Sequence, residues 1–104
     1  MVAVNALIPL MDYGIVWRDN SGQFKKDYKR CIKRGLDMDL LKSIVSILAI
    51  PDKLQPQNKD HTLAGNYAGF RECHIMPDWL LIYRYKGEYL ELTRTGTHSD
   101  LFQR

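Results

Sequence analysis

At 104 residues, with 45% hydrophobic side chains, the chain has material for one domain with a single modest core. Lys and Arg number 15 against 12 Asp and Glu, a net charge of +3 that permits an anionic partner without proving one. No stretch approaches the roughly 18 apolar residues of a membrane span. The apolar opening at 2–10 lacks the basic leader and small-residue cleavage pattern of a signal peptide. Residues 1–10 are expected to form a weakly ordered extension, and 11–104 a single domain.

In chain order, 13–17 reads as a first short strand. Ser21 is placed to cap a helix through Arg34, with Phe24, Tyr28, Cys31 and Ile32 making one apolar stripe. Around that stripe stand Lys25, Lys26, Lys29, Arg30, Lys33 and Arg34, with Asp27 the single acid. Such a cluster suits phosphate contact and equally suits a solvated helix face. Gly35 is a natural residue to close the helix. Asp37 or Asp39 can cap a second helix, whose broad apolar face is Leu40, Leu41, Ile44, Val45, Ile47 and Leu48, and Pro51 ends it. Residues 51–69 form a long connection containing His61.

After Gly69 the period changes. Residues 70–75 alternate, Pro77-Asp78 signals a turn, and 79–85 is an apolar and aromatic run fit for a central strand. Lys86-Gly87 makes a hairpin turn into a last strand over 88–95, with Leu90 and Leu92 facing the helices, and Gly96 breaks it. The order β-α-α-β-β-β predicts an α+β domain: two N-terminal helices packed on one face of an antiparallel sheet, the other face free for a ligand. Cys31 and Cys73 form no CxxC and read as buried free thiols of a reducing compartment.

All three histidines, His61, His74 and His98, lie in the C-terminal half. His74 ends one strand and Asp78 starts the next, while the hairpin register brings Arg94 and His98 back toward Asp78. Strict alternation would put Arg94 on the helix side with Leu90 and Leu92, so a bulge or strong twist near Thr93 is required to turn it outward. RNA can be cut by in-line attack of its own 2′-hydroxyl, which needs a base, an acid and positive charge on the phosphoryl oxygens. Two imidazoles and an arginine fill those roles, and Asp78 can orient an imidazole or act as the base. Phe102 or Trp79 can stack a splayed base, and Arg71 can face RNA. The bland alternatives are a turn residue at Asp78, a core residue at Trp79 and a C-terminal anchor at Phe102. A zinc site from His61, His74, His98 and Asp78 would lack any short ligand spacing, so neither a metal nor an organic cofactor is expected.

Asp60-His61-Thr62-Leu63-Ala64-Gly65, the run from Phe70 through Cys73-His74-Ile75-Met76-Pro77-Asp78-Trp79 to Tyr83, and Leu92-Thr93-Arg94-Thr95-Gly96-Thr97-His98 through Phe102 closely resemble the YafQ branch of the RelE-like toxins. Phe24-Lys25-Lys26-Asp27-Tyr28-Lys29-Arg30 is similar to that family's opening helix. The resemblance implies the RelE-like fold and the toxin half of a bacterial type II toxin–antitoxin pair. It further implies a cytoplasmic, ribosome-dependent endoribonuclease that cuts messenger RNA in the 70S A site and is held by a cognate antitoxin in a hetero-oligomer. On the resemblance, His61, His74 and His98 are the functional histidines, Asp78 the acid, Arg94 the transition-state arginine and Phe102 the nucleotide-positioning aromatic. The basic helix residues Lys25, Lys26, Lys29, Arg30 and Lys33 are expected to meet RNA or the ribosome. Two alternatives share the fold without the chemistry: a ParE-like inhibitor of DNA gyrase, and a silent RNA- or ribosome-binding module. Neither needs this set of three histidines, Asp78 and Arg94.

Overall fold

The alternating segment and the long apolar run become neighbouring strands of a five-stranded sheet. The structure, a computed structural model, describes residues 16–18, 22–50, 52–87 and 89–102. Its strands are β1 (Val16–Arg18), β2 (His61–Thr62), β3 (Arg71–Met76), β4 (Trp79–Lys86) and β5 (Tyr89–Gly96), in the spatial order β1-β5-β4-β3-β2. β2 to β5 pair antiparallel, whereas β1 joins β5 in parallel. Helices α1 (Gln23–Lys33) and α2 (Met38–Ala49) follow β1, and a short α3 (His98–Phe102) closes the described chain. The expected α+β architecture is present. β2 and α3 were not legible as elements. The expectations for residues 1–10, for 13–15, for the Ser21 cap and for Pro51 lie outside the described residues.

α1 ends as its sequence demands. Gly35 takes a positive φ of 76°, Leu36 N–H donates to Cys31 C=O and Gly35 N–H to Ile32 C=O, which satisfies carbonyls the helix leaves open. Asp37 caps α2 by accepting from Asp39 N–H. The helices bury Phe24, Tyr28 and Cys31 of α1 and Leu41, Ile44, Val45 and Leu48 of α2 against Cys73, Trp79, Leu81, Tyr83, Leu90 and Leu92 of the sheet. Each such side chain is worth about 1.5–3 kcal/mol of transfer free energy. Ile32, expected in the apolar stripe, is instead 50% exposed. The buried position on that face belongs to Asp27. Leu40 is likewise exposed at the edge of the α2 face. Cys31 and Cys73 are buried free thiols, as expected, and burial pushes both thiol pKa values up.

The opposite face is not wholly free. Leu80 and Ile82 pack there against Leu101, with Leu63, Tyr67, Phe70 and Phe102 around them. This second cluster fixes the connection at 63–70 and α3 beside the open end of the sheet. Among the described residues no helix is long and apolar enough to cross a membrane.

Candidate active site

β2 is only two residues long, yet its pairing sets the first half of the site: His61 lies directly across from Glu72 of β3. Asn58 Nδ2 donates to the His74 carbonyl at 2.8 Å, and Asp60 Oδ1 accepts from Tyr83 Oη at 2.6 Å and Arg71 Nε at 3.2 Å, so the segment leading into His61 is tied to β3 and β4. His61 Nδ1 stands 2.7 Å from the Lys59 carbonyl, which favours a proton on that nitrogen. Nε2 of His61 then faces Glu72 Oε1 at 3.5 Å, and Nε2 of His74 faces the same oxygen at 3.6 Å. The two rings are 6.5 Å apart. Glu72 is 5% exposed. A buried carboxylate between two imidazoles can exchange a proton with either or hold one charged. Sequence reasoning missed Glu72. The available signal was an acid two residues before His74, on the same side of an alternating strand.

The second half comes from the β3–β4 turn and the N-terminus of α3. Thr97 and Asp100 form a capping box: Asp100 Oδ2 accepts from Thr97 N–H at 2.9 Å, and Thr97 Oγ1 accepts from Asp100 N–H at 3.1 Å. Asp100 also binds Arg34, the residue just after α1, at 2.6 Å. Gly96 makes this junction possible, since a Cβ there would stand 2.7 Å from Asp100 Oδ2 and 2.9 Å from its Cβ. On this short helix His98 reaches Asp78. Asp78 Oδ1 accepts from the His98 backbone N–H at 2.9 Å and from its Nδ1 at 2.6 Å. That backbone bond first, and the ring contact next, hold the Asp78 carboxyl below its usual pKa. With Nδ1–H committed to Asp78, Nε2 of His98 is the nitrogen that can accept or deliver a proton. The His74 and His98 rings are 5.7 Å apart, so the three imidazoles form a continuous row.

Beside this row opens a cleft of about 610 Å³, lined by Tyr67, Glu72, His98 and Phe102 with Leu63 and Leu101. Tyr67 and Phe102 meet edge to face at 6.0 Å. The bulge expected near Thr93 is present: Tyr83 pairs with Leu92 but Ile82 with Arg94. Arg94 therefore follows Ile82, and Ile82 pairs with Glu72 on its other side, so the arginine belongs to the site face. Its guanidinium runs to Asp27 of α1, with Nε 2.7 Å from Oδ2. Hydrogen bonding to Asp27, with a smaller contribution from Tyr67, raises its pKa further.

The structure thus gathers His61, His74, Asp78, His98 and Phe102 at one end of the sheet, with Arg94 beside Tyr67 at the cleft. Trp79 is corrected, and Arg71 and Arg30 are found on acidic partners within the protein. Trp79 is 2% exposed and its Nε1–H donates to Thr95 Oγ1 at 3.0 Å, so it belongs to the core and no base can stack on it. Arg71 is held by Asp60 and lines a separate cavity with Tyr83 and Tyr85, away from the histidines. Arg30 is half-buried and drawn to Asp27 at 2.9 Å and Asp100 at 3.8 Å. Lys26, Lys29 and Lys33 are exposed and Lys25 half-buried on α1. Among the described residues, no three His, Cys, Asp or Glu side chains are grouped so as to hold a metal ion.

The sequence matches the family model described as the bacterial toxin of type II toxin–antitoxin systems, YafQ, over residues 18–103. The chain belongs to the YafQ family. It is 44% identical over 85 residues to the mRNA interferase toxin YafQ of Escherichia coli K12, a span of 79% of this chain and 90% of that one. Among solved YafQ-like structures, the metal-bound toxin from Helicobacter pylori superposes with a TM-score of 0.77 at 43% identity, covering 85% of this chain and all of the other (100%). YafQ from the E. coli DinJ–YafQ toxin–antitoxin complex superposes with a TM-score of 0.74 at 41% identity, over 86% and 97% of the two chains.

Proposed function

We propose that this chain cuts messenger RNA in the ribosomal A site by acid–base-assisted attack of the 2′-hydroxyl on the adjacent phosphate. As a member of the YafQ family it is the toxin of a type II toxin–antitoxin system and an mRNA endoribonuclease, with a cognate antitoxin as partner. A cytoplasmic bacterial setting fits that role and the two buried free thiols. The observation that carries the mechanistic reading is the Asp78–His98 pair, 2.6 Å apart, whose histidine lines the cleft.

The geometry supports the following roles. His98, its Nδ1–H fixed by Asp78, presents Nε2 as the proton donor to the leaving 5′-oxygen. Glu72, which lines the cleft, takes up the 2′-OH proton directly, with the Nε2 atoms of His61 and His74 on either side of its carboxylate. Arg94 supplies positive charge to the phosphoryl oxygens. Phe102 and Tyr67 wall the cleft where a splayed base is held. Lys25, Lys26, Lys29 and Lys33 of α1 meet ribosomal phosphate.

Primer extension on a defined message, with and without 70S ribosomes, tests this reading. Wild-type protein is expected to give codon-phased cuts only with ribosomes, and His98→Ala none. Growth inhibition with no cuts in either condition would favour a binding-only toxin.

A further inference from the structure

Asp27 is the one acid in the basic stretch of α1, and it is fully buried. Donors from two elements converge on it. Oδ2 accepts from Arg94 Nε at 2.7 Å and from the Thr95 backbone N–H at 3.1 Å. Oδ1 accepts from Arg30 Nη2 at 2.9 Å, Gln23 Nε2 at 3.2 Å and Arg94 Nη2 at 3.3 Å. Burying a carboxylate is costly unless it is paired and hydrogen-bonded, and an apolar residue of similar size would serve packing as well. The arrangement has a feature that packing does not require. Two arginines share this carboxylate: Arg30, which also lies 3.8 Å from Asp100, and the arginine that the Thr93 bulge turns to the site face. Asp27 occupies the Nε edge of that guanidinium, so the fork's other edge is turned away from α1, beside Tyr67 of the cleft.

We propose that Asp27 is a positioning residue of the nuclease, fixing the Arg94 guanidinium so that its second N–H edge is preset for a phosphoryl oxygen. This rests on the reading of Arg94 as the group that stabilises the phosphate. An unrestrained arginine side chain has many rotamers, and donors held in place beforehand need no reorganisation when charge develops. α1 thereby acts in the reaction without touching RNA at this point, and the bulge and Asp27 work together: one turns Arg94 outward and the other stops it from swinging.

The test is single-turnover cleavage of ribosome-bound message by the wild type, Asp27→Asn, Arg94→Ala and the double variant, over a range of toxin concentrations. Asp27→Asn is expected to leave half-saturation unchanged and lower the maximal rate by about 10- to 100-fold. On the Arg94→Ala background the same change is expected to have no further effect. A wild-type maximal rate for Asp27→Asn, or an equal loss in both backgrounds, overturns the proposal, because the second result is what a purely structural role gives. If Arg94→Ala itself cuts at the wild-type rate, the reading of Arg94 fails and the proposal falls with it, a result distinct from the other two. Should Asp27→Asn not fold, Arg94→Lys decides. It keeps the charge but has no planar fork that could set one edge on Asp27 and hold a second toward the phosphate, so a rate loss comparable to that of Arg94→Ala supports the proposal and an unimpaired rate overturns it.

Discussion

One oxygen of Asp78 holds both the backbone N–H and the ring Nδ1 of His98, at 2.9 and 2.6 Å, across 20 residues of sequence. The first bond covers a donor that the start of α3 would leave open, and the second sets the tautomer of the ring. Helix geometry and proton chemistry therefore depend on the same carboxylate. Asp78→Asn keeps an accepting oxygen but removes the charge. It is expected to lower the single-turnover cleavage rate by about 10²–10⁴-fold while leaving the melting temperature close to that of the wild type, since the pair is exposed. Parallel rate and melting measurements check this.

Glu72 offers a second test. Its position between two Nε2 atoms, at 3.5 and 3.6 Å, makes its charge the feature that links His61 to His74. Glu72→Gln preserves shape and is expected to lose on the order of 10²-fold in rate. His61→Ala on the Glu72→Gln background is expected to add little, because the two act as one unit. Additive losses would place His61 in a separate role.

Trp79 and Phe102 separate core from site. Trp79→Phe removes the Nε1–H bond to the buried Thr95 hydroxyl and some packing, and is expected to cost about 1–3 kcal/mol of stability. At about 4–8 °C per kcal/mol for a domain of this size, thermal melting will register it, while the rate of the folded fraction stays at the wild-type level. Phe102→Ala is expected to show the reverse balance, with rate falling more than stability.

The Asp100–Arg34 pair gives a pH-dependent stability. Hydrogen bonding to Arg34 first, and to Thr97 next, holds the Asp100 carboxyl well below the usual carboxylate range. A folded-state pKa below the unfolded value of about 3.9 contributes stability that is complete above that value and is lost as pH falls through the depressed one. The melting-temperature gap between wild type and Asp100→Asn is therefore expected to be full at pH 7 and to shrink steadily below about pH 4. A gap that grew on acidification would contradict the assignment.

Much of this arrangement was legible in the sequence. The alternation of 70–75, the run of 79–85 and the Lys86-Gly87 turn set the register closely enough to demand a bulge or strong twist near Thr93, and a bulge is there. What escaped reading was either too short or contrary to composition. β2 has two residues and α3 five, below the length at which periodicity speaks, although Thr97-x-x-Asp100 carried a capping signal. Asp27 sat in a basic run, yet its spacing three residues after Phe24 put it on the buried stripe. Polarity argued for solvent, and the convergence of Arg30, Arg94 and Thr95 N–H outweighed it. Trp79 was read two ways, and Thr95 on the neighbouring strand decided for the core.

The central claim is attack by the substrate's own 2′-hydroxyl, and the most direct measurement is cleavage of a ribosome-bound message carrying a single 2′-deoxynucleotide on the 5′ side of the cut. The account predicts that this message stays intact at that bond while the all-ribose control is cut there, leaving a 2′,3′-cyclic phosphate and a 5′-hydroxyl. Cleavage of the deoxy-substituted bond at the control rate would mean that water is the nucleophile, and would contradict the roles assigned to Glu72, His61, His74 and His98.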